Sequence, residues 1–377
     1  FGSSRLVEAA VEFRARDTSA STPAIMTFPT LQNVLTCDSS VETQLMVLVM
    51  FATLWYFSLP FVARTVVRPF IDRQAWKPQF VKLTQDSLKK MFRITMDEAS
   101  AYSLACQGIP MLCQHGFGGA LCIPAMLGAL PSGVRTALAC HGALSEAGWE
   151  VSDLLTIARV YAFGSETERK LKPPALVLIL CMHHSMGLGM VIPMNLNFPD
   201  FYWYHEGIFL LQFAAFVACF AQQYGYTLNT KTPSGLLRMR ISVTVVFLLM
   251  GWSRGIRYVV VAAHVLGKLH ADAGIAMLAG GCVAVTLMSV INLMFLVDVA
   301  VKFRKFMLVA NKANKTDKDH DVLRESSHDL LQSMSFQSQH DLLAGRRAWA
   351  KVRGAVALGA FHQSLTEPLR PSRQRGQ

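Results

Sequence analysis

The chain has 377 residues, of which 52% are hydrophobic and only 16% charged. A soluble domain carries roughly a quarter charged residues, so an ordinary soluble globular protein is excluded. The net charge of +11 does not point to nucleic acid, because the basic residues lie between and after long apolar runs, as membrane topology requires.

In chain order, residues 1–43 form a polar segment of mixed charge. It lacks the basic-then-apolar pattern of a leader peptide, and Met26 within it is a candidate start. Residues 44–64 (QLMVLVMFATLWYFSLPFVAR) form the first run long enough to cross a hydrocarbon core of about 30 Å. Residues 65–98 read as a basic cytosolic loop. Six further runs follow at 101–130, 134–163, 174–194, 203–224, 241–265 and 273–301, within a domain at 99–305. Residues 306–377 are rich in Ser, His, Gln and Arg and read as a mostly disordered cytosolic tail. Within it, 341–361 (DLLAGRRAWAKVRGAVALGAF) has the pattern of a basic surface helix, although a solvated chain is the preferred reading. The expected fold is all-α, a polytopic membrane protein of seven transmembrane helices, one N-terminal helix plus a six-helix bundle.

The loops alternate in basic content. Arg64 to Arg93, then Arg169, Lys170 and Lys172, then Lys231, Arg238 and Arg240, and finally Lys302 to Lys312 mark one side. Arg135 and Lys268 stand alone on the other. The positive-inside rule then puts the N-terminus in the lumen and the C-terminus in the cytosol. The eight cysteines contain no CxxC and seven fall in apolar runs, where buried thiols act as small hydrophobes.

Ionisable groups at mid-depth are expensive and face a bundle interior. The stretch SEAGWEVSDLL carries Glu146, Glu150 and Asp153 at i, i+4 and i+7, on one helical face. His183 and His184 sit midway through LILCMHHSMGLGM, and Arg254 and Arg257 midway through the sixth run, with His264 beyond them. These groups are expected to meet in one buried layer. The plainer reading makes Arg–carboxylate pairs structural and the histidines packing residues, with His115 and His141 ambiguous and Asp298–Lys302 a local pair. Gly187, Gly189, Pro193 and Pro124 are expected to weaken their helices and free backbone groups toward a cavity. A zinc site of Glu150, His183 and His184 is conceivable, but adjacent ligands on one helix are poorly placed for one ion. No metal and no cofactor are expected.

WEVSDLL followed by a short basic loop, the HH pair in MHHSMGLGMVIPMN, and YHEGIFLLQF after a short lumenal loop together resemble the TLC-domain family over residues 90–305. That resemblance implies a lipid-handling protein of the endoplasmic reticulum, similar to ceramide synthases, with membrane lipids and acyl-CoA as partners. The activity implied is acyl transfer from acyl-CoA to a long-chain amine. By the same resemblance His183 and His184 are the catalytic pair, oriented or balanced by Glu150 or Asp153. Glu146, Arg254, Arg257 and Glu206 line the substrate pocket. The basic rim of Lys170, Lys172, Arg238 and Arg240 attracts the CoA phosphates. The synthase signature ends in paired aspartates, whereas NLNFPDFYWYHEG has Asp200 and Glu206, which is similar to a branch without established synthase activity. Two other readings stand beside it, a non-catalytic lipid-binding or membrane-organising protein and a seven-span receptor or transporter. The sequence contains no internal repeat of the kind coupled transporters often show.

Overall fold

The computed structural model describes residues 29–92, 95–170, 172 and 174–312. Met26, the segment before it and the tail with 341–361 lie outside the described residues. The chain divides into two units, Phe1–Met307 and Leu308–Gln377, and the first is treated below.

The described residues are helical and contain no strand. The short α1 (Leu31–Thr36) precedes α2 (Val41–Val62), whose N-terminus is capped by the Ser40 hydroxyl accepting from the Thr43 amide. A π-helical turn at Ala63–Val67 joins α2 to α3 (Arg68–Asp72). The expected basic loop is largely helical. In α4 (Lys77–Phe92), Phe80 and Val81 are buried against Ala101, Tyr102 and Ala105, while Lys82 and Lys89 face outward. This is the one-faced pattern of a surface helix, and it outweighs the loop-like charge of the stretch.

Asp97 caps α5 (Glu98–Leu127), which ends at Gly128 in the left-handed conformation, φ 63°. Then come α6 (Ser132–Phe163), the short α7 (Glu166–Lys170), α8 (Pro174–Asn197) and α9 (Tyr202–Thr227). The next rod is α10 (Pro233–Met250), a π-helical stretch at Gly251–Arg257 and α11 (Tyr258–Asp272), followed by α12 (Ile275–Lys312). Each expected apolar run falls on one long helical rod.

Five of these rods are long and apolar enough to cross a membrane: Val41–Asp72, Leu176–Asn197, Tyr202–Thr227, Pro233–Asp272 and Ile275–Leu308. They mark an integral membrane protein, and large apolar side chains such as Phe57, Phe61, Leu248 and Ile256 face outward along them. The helices α5 and α6 have sufficient length but are less apolar, since α6 alone carries Arg135, His141, Glu146, Glu150 and Asp153.

The expected helix breaks do not occur. Pro110, Pro124 and Pro193 all lie inside continuous helices, as neighbouring helices in a bundle permit. The glycines serve close approach. A Cβ on Gly142 would lie 2.7 Å from the Gly118 carbonyl of α5, and one on Gly148 would lie 2.6 Å from Phe51 Cβ and 2.8 Å from the Ala52 amide of α2. Small residues let membrane helices touch backbone to backbone, so α6 is wedged between α2 and α5 and also contacts α8. At one end of the bundle Gln44, Asn195 and Tyr204 form a buried neutral network, with Asn195 Nδ2 donating to Gln44 Oε1 at 2.9 Å and Tyr204 Oη donating to Asn195 Oδ1 at 3.0 Å.

Gly148→Ala is expected to lower the thermal midpoint of the detergent-solubilised protein by an amount equivalent to about 1–3 kcal/mol of overpacking. Gly133→Ala, where a Cβ meets nothing within 4 Å, is expected to leave the midpoint unchanged or higher.

Candidate functional site

The site is built on α6 and α8. On α6 the three acids share a face because 3.6 residues make a turn, and that face turns inward: Glu150 is 3% exposed. Opposite, α8 presents His184, which is fully buried, and His183, which is partly buried.

His184 is held at one ring nitrogen and faces a second carboxylate with the other. Its Nε2 lies 3.0 Å from Asp153 Oδ2, and its Nδ1 lies 3.9 Å from Glu150 Oε1. A carboxylate accepts only, so Nε2 carries the proton that faces Asp153, while Nδ1 faces Glu150 without a hydrogen-bond partner. Asp153 is also approached by Lys172 Nζ at 3.9 Å from the basic loop. Glu150 has a specific seat. A Cβ at Gly187, one turn beyond His184, would overlap the Glu150 carboxylate and displace it, so glycine leaves it room in its present position. This is the physical reason for a glycine at that point of SMGLGM.

A second cluster adjoins the first. His115 of α5 lies 3.0 Å from Glu146 Oε2, and Gln114 Nε2 donates to the same oxygen at 3.0 Å. Trp149 separates the two clusters. Its ring meets His115 edge-on at 4.9 Å and His184 at 5.2 Å, and the His183 and His184 rings are 5.4 Å apart. Sequence reasoning singled out His183, His184 and the three acids but left His115 ambiguous and did not assign Trp149 a role. The signal for both was present in the spacing, since Trp149 lies between Glu146 and Glu150 on α6 and His115 is a buried imidazole facing the same helix.

The guanidinium groups do not pair with these acids. Arg254, in the π-helical stretch, donates Nη1 to Asn292 Oδ1 at 2.8 Å and Nη2 to the Leu211 carbonyl at 2.7 Å. Arg257 pairs with Glu206 through both Nε and Nη2, the latter at 2.9 Å, and lies over the Trp203 ring, which also stacks on His264 at 3.8 Å. Glu206 is therefore the Arg257 counter-ion on α9, where the sequence suggested a pairing toward α6. The single layer expected from depth is divided into an acid–imidazole part and a guanidinium part. The expected Asp298–Lys302 pair is present at 2.6 Å. His141 donates within its own helix, from Nδ1 to the Ala137 carbonyl at 2.7 Å.

The eight cysteines are free thiols, four of them buried. An open apolar groove, lined by Leu45, Met46, Val49, Met50, Leu54 and His141, lies along α2 and does not reach the histidine pair.

No family model matches the chain, and neither a curated protein nor a solved structure matches it.

Removing Arg257 while Glu206 stays buried would leave an uncompensated carboxylate. Arg257→Ala is expected to cost about 2 kcal/mol, below the 3–5 kcal/mol of a fully buried pair because the Arg257 side chain is 31% exposed. The double variant Arg257→Leu with Glu206→Leu is expected to recover most of that loss in the same thermal-melt assay.

Proposed function

We propose that this chain is a lipid-metabolising enzyme of the endoplasmic reticulum that transfers an acyl group from acyl-CoA to a long-chain amine. In this reading all seven long rods cross the membrane, the N-terminus is lumenal and the C-terminus cytosolic. The alternating basic loops support that orientation, and the likeness to the TLC-domain family supplies the substrate class and the organelle.

One observation carries the catalytic part. The His184 imidazole is gripped at Nε2 by Asp153 and offers its Nδ1 lone pair inside an apolar bundle. Such an arrangement orients a general base and stabilises the imidazolium that forms. As the amine nitrogen attacks the thioester carbonyl, Nδ1 takes its proton and a carbon–nitrogen bond forms. Collapse of the tetrahedral adduct breaks the carbon–sulfur bond, and the imidazolium returns the proton to the departing CoA thiolate. Lys172, Arg238 and Arg240 lie in the segments read as cytosolic and would draw the CoA phosphates toward that end. Arg254 and Glu146 belong to the surrounding pocket in this reading, as do Arg257 and Glu206.

Microsomes containing the full chain, given acyl-CoA and a long-chain amine, are expected to accumulate the amide. His184→Ala is expected to lower the rate by about 10²- to 10⁴-fold, the usual contribution of a positioned base, and Asp153→Asn to lower it less. Undiminished amide from His184→Ala in membranes that contain the inserted protein would remove the catalytic role. The absence of any amide from the unaltered chain would favour a non-catalytic lipid-binding role.

A further inference from the structure

We propose that Glu150, His183 and His184 form a binding site for a divalent transition-metal ion, with Zn²⁺ the representative. The proposal goes beyond acyl transfer and does not depend on it.

Three observations carry it. First, one ligand atom from each of the three residues lies within 4.8 Å of the other two. Second, Glu150 Oε2, His183 Nδ1 and His184 Nδ1 are all buried and without a hydrogen-bond partner. Unpaired polar atoms in a low-dielectric interior are costly, and each of the three clustered residues carries one. A proton shared between Glu150 and His184 would satisfy one pair and leave His183 unpartnered. A cation satisfies all three and neutralises the buried carboxylate. Third, the outer support is already built, because His184 donates Nε2–H to Asp153 at 3.0 Å. A metal-bound imidazole almost always donates its other nitrogen to a carboxylate or carbonyl, which fixes the tautomer.

The objection from adjacency is met by the ring geometry. The two imidazoles are tilted by 47° with centroids 5.4 Å apart, and each offers a nitrogen within 4.8 Å of a Glu150 carboxylate oxygen. Bonds of 2.0–2.1 Å in a tetrahedral site put ligand atoms about 3.3 Å apart. The gap of 3.9 Å between His184 Nδ1 and Glu150 Oε1 closes by about 0.6 Å to reach that spacing, and the other gaps, up to 4.8 Å, close by up to about 1.5 Å. Two imidazoles and one carboxylate suit zinc, and three protein ligands leave a fourth position for water or a carbonyl oxygen. The ion and the proton of the transfer reaction use the same Nδ1 lone pair, so the ion-bound protein lacks that proton acceptor. Gly187 belongs to the site indirectly, since it leaves the space in which the Glu150 carboxylate sits.

The test uses the full chain purified in detergent without chelator. Metal content is measured by mass spectrometry, and chelator-stripped protein is titrated with Zn²⁺ by calorimetry and with Co²⁺ by visible absorption. The chelator-stripped wild type is expected to take up about one Zn²⁺ per chain, and any amide formation to fall as it does. Glu150→Gln and His184→Asn are expected to weaken uptake at least tenfold. Asp153→Asn, which removes only the outer support, is expected to weaken it about 10- to 100-fold. Gly187→Ala keeps every ligand but displaces the carboxylate, and it is expected to weaken uptake with helix content intact by circular dichroism. Asp298→Asn, in a local pair on α12, is expected to bind normally. A folded wild type that takes up no Zn²⁺, or uptake undiminished in Glu150→Gln and His184→Asn, overturns the proposal. Amide formation by a chain that binds no Zn²⁺ sinks this site and leaves acyl transfer standing, and Zn²⁺ uptake by a chain whose metal-stripped form makes no amide does the reverse.

Discussion

A carboxylate inside a membrane bundle must find a partner, because hydrocarbon offers it no water and the cost of burying it alone is several kcal/mol. The helix α6 carries three. Glu146 meets His115 and Gln114, Asp153 meets His184 and Lys172, and Glu150 faces His184 across 3.9 Å. Satisfying them requires neighbours on more than one side, so α6 is placed among α2, α5 and α8. Gly142 and Gly148 then follow from the crowding, since each lies where a neighbouring backbone leaves no room for a side chain.

The guanidinium groups solve the same problem separately. Arg257 takes Glu206 as its counter-ion under the Trp203 ring, and Arg254 is held by Asn292 and a main-chain carbonyl within a π-helical stretch. Each cation thus finds its hydrogen-bond acceptors on α9 or α12, and the acids of α6 are left to imidazoles. That division matters for chemistry. A carboxylate paired with arginine is fixed in charge, whereas imidazole exchanges protons or binds metals near neutral pH. The buried polar layer pairs acids with imidazoles on the α6–α8 side and holds guanidinium groups on the side of Arg254 and Arg257.

The helices were legible because long apolar runs leave little choice of structure in a membrane. The seven runs lie on seven rods, but composition alone carries five of them across a bilayer. The inward-facing acids of α6 both mark it out in the sequence and lower its apolarity. The stretch 65–98 misled because its lysines look like a loop, while Phe80 and Val81 at helical spacing pack it against α5. The acid–imidazole pairing was legible as shared depth and facing direction, but its partners were not. Depth places Arg254, Arg257 and the three acids together, and only the rotation of each helix decides which meet. The role of glycine at 187 was invisible for the same reason, since the sequence does not say which residue of another helix will rest against it.

The central claim is that α6 and α8 are joined through the His184–Asp153 contact. A double-mutant cycle with His184→Asn and Asp153→Asn, read as thermal stability of the full chain in one detergent, tests it most directly. The account predicts a coupling of about 1–3 kcal/mol, as for groups within one buried network. Single-variant losses that add to within about 0.5 kcal/mol, the behaviour of residues that do not touch, would contradict it.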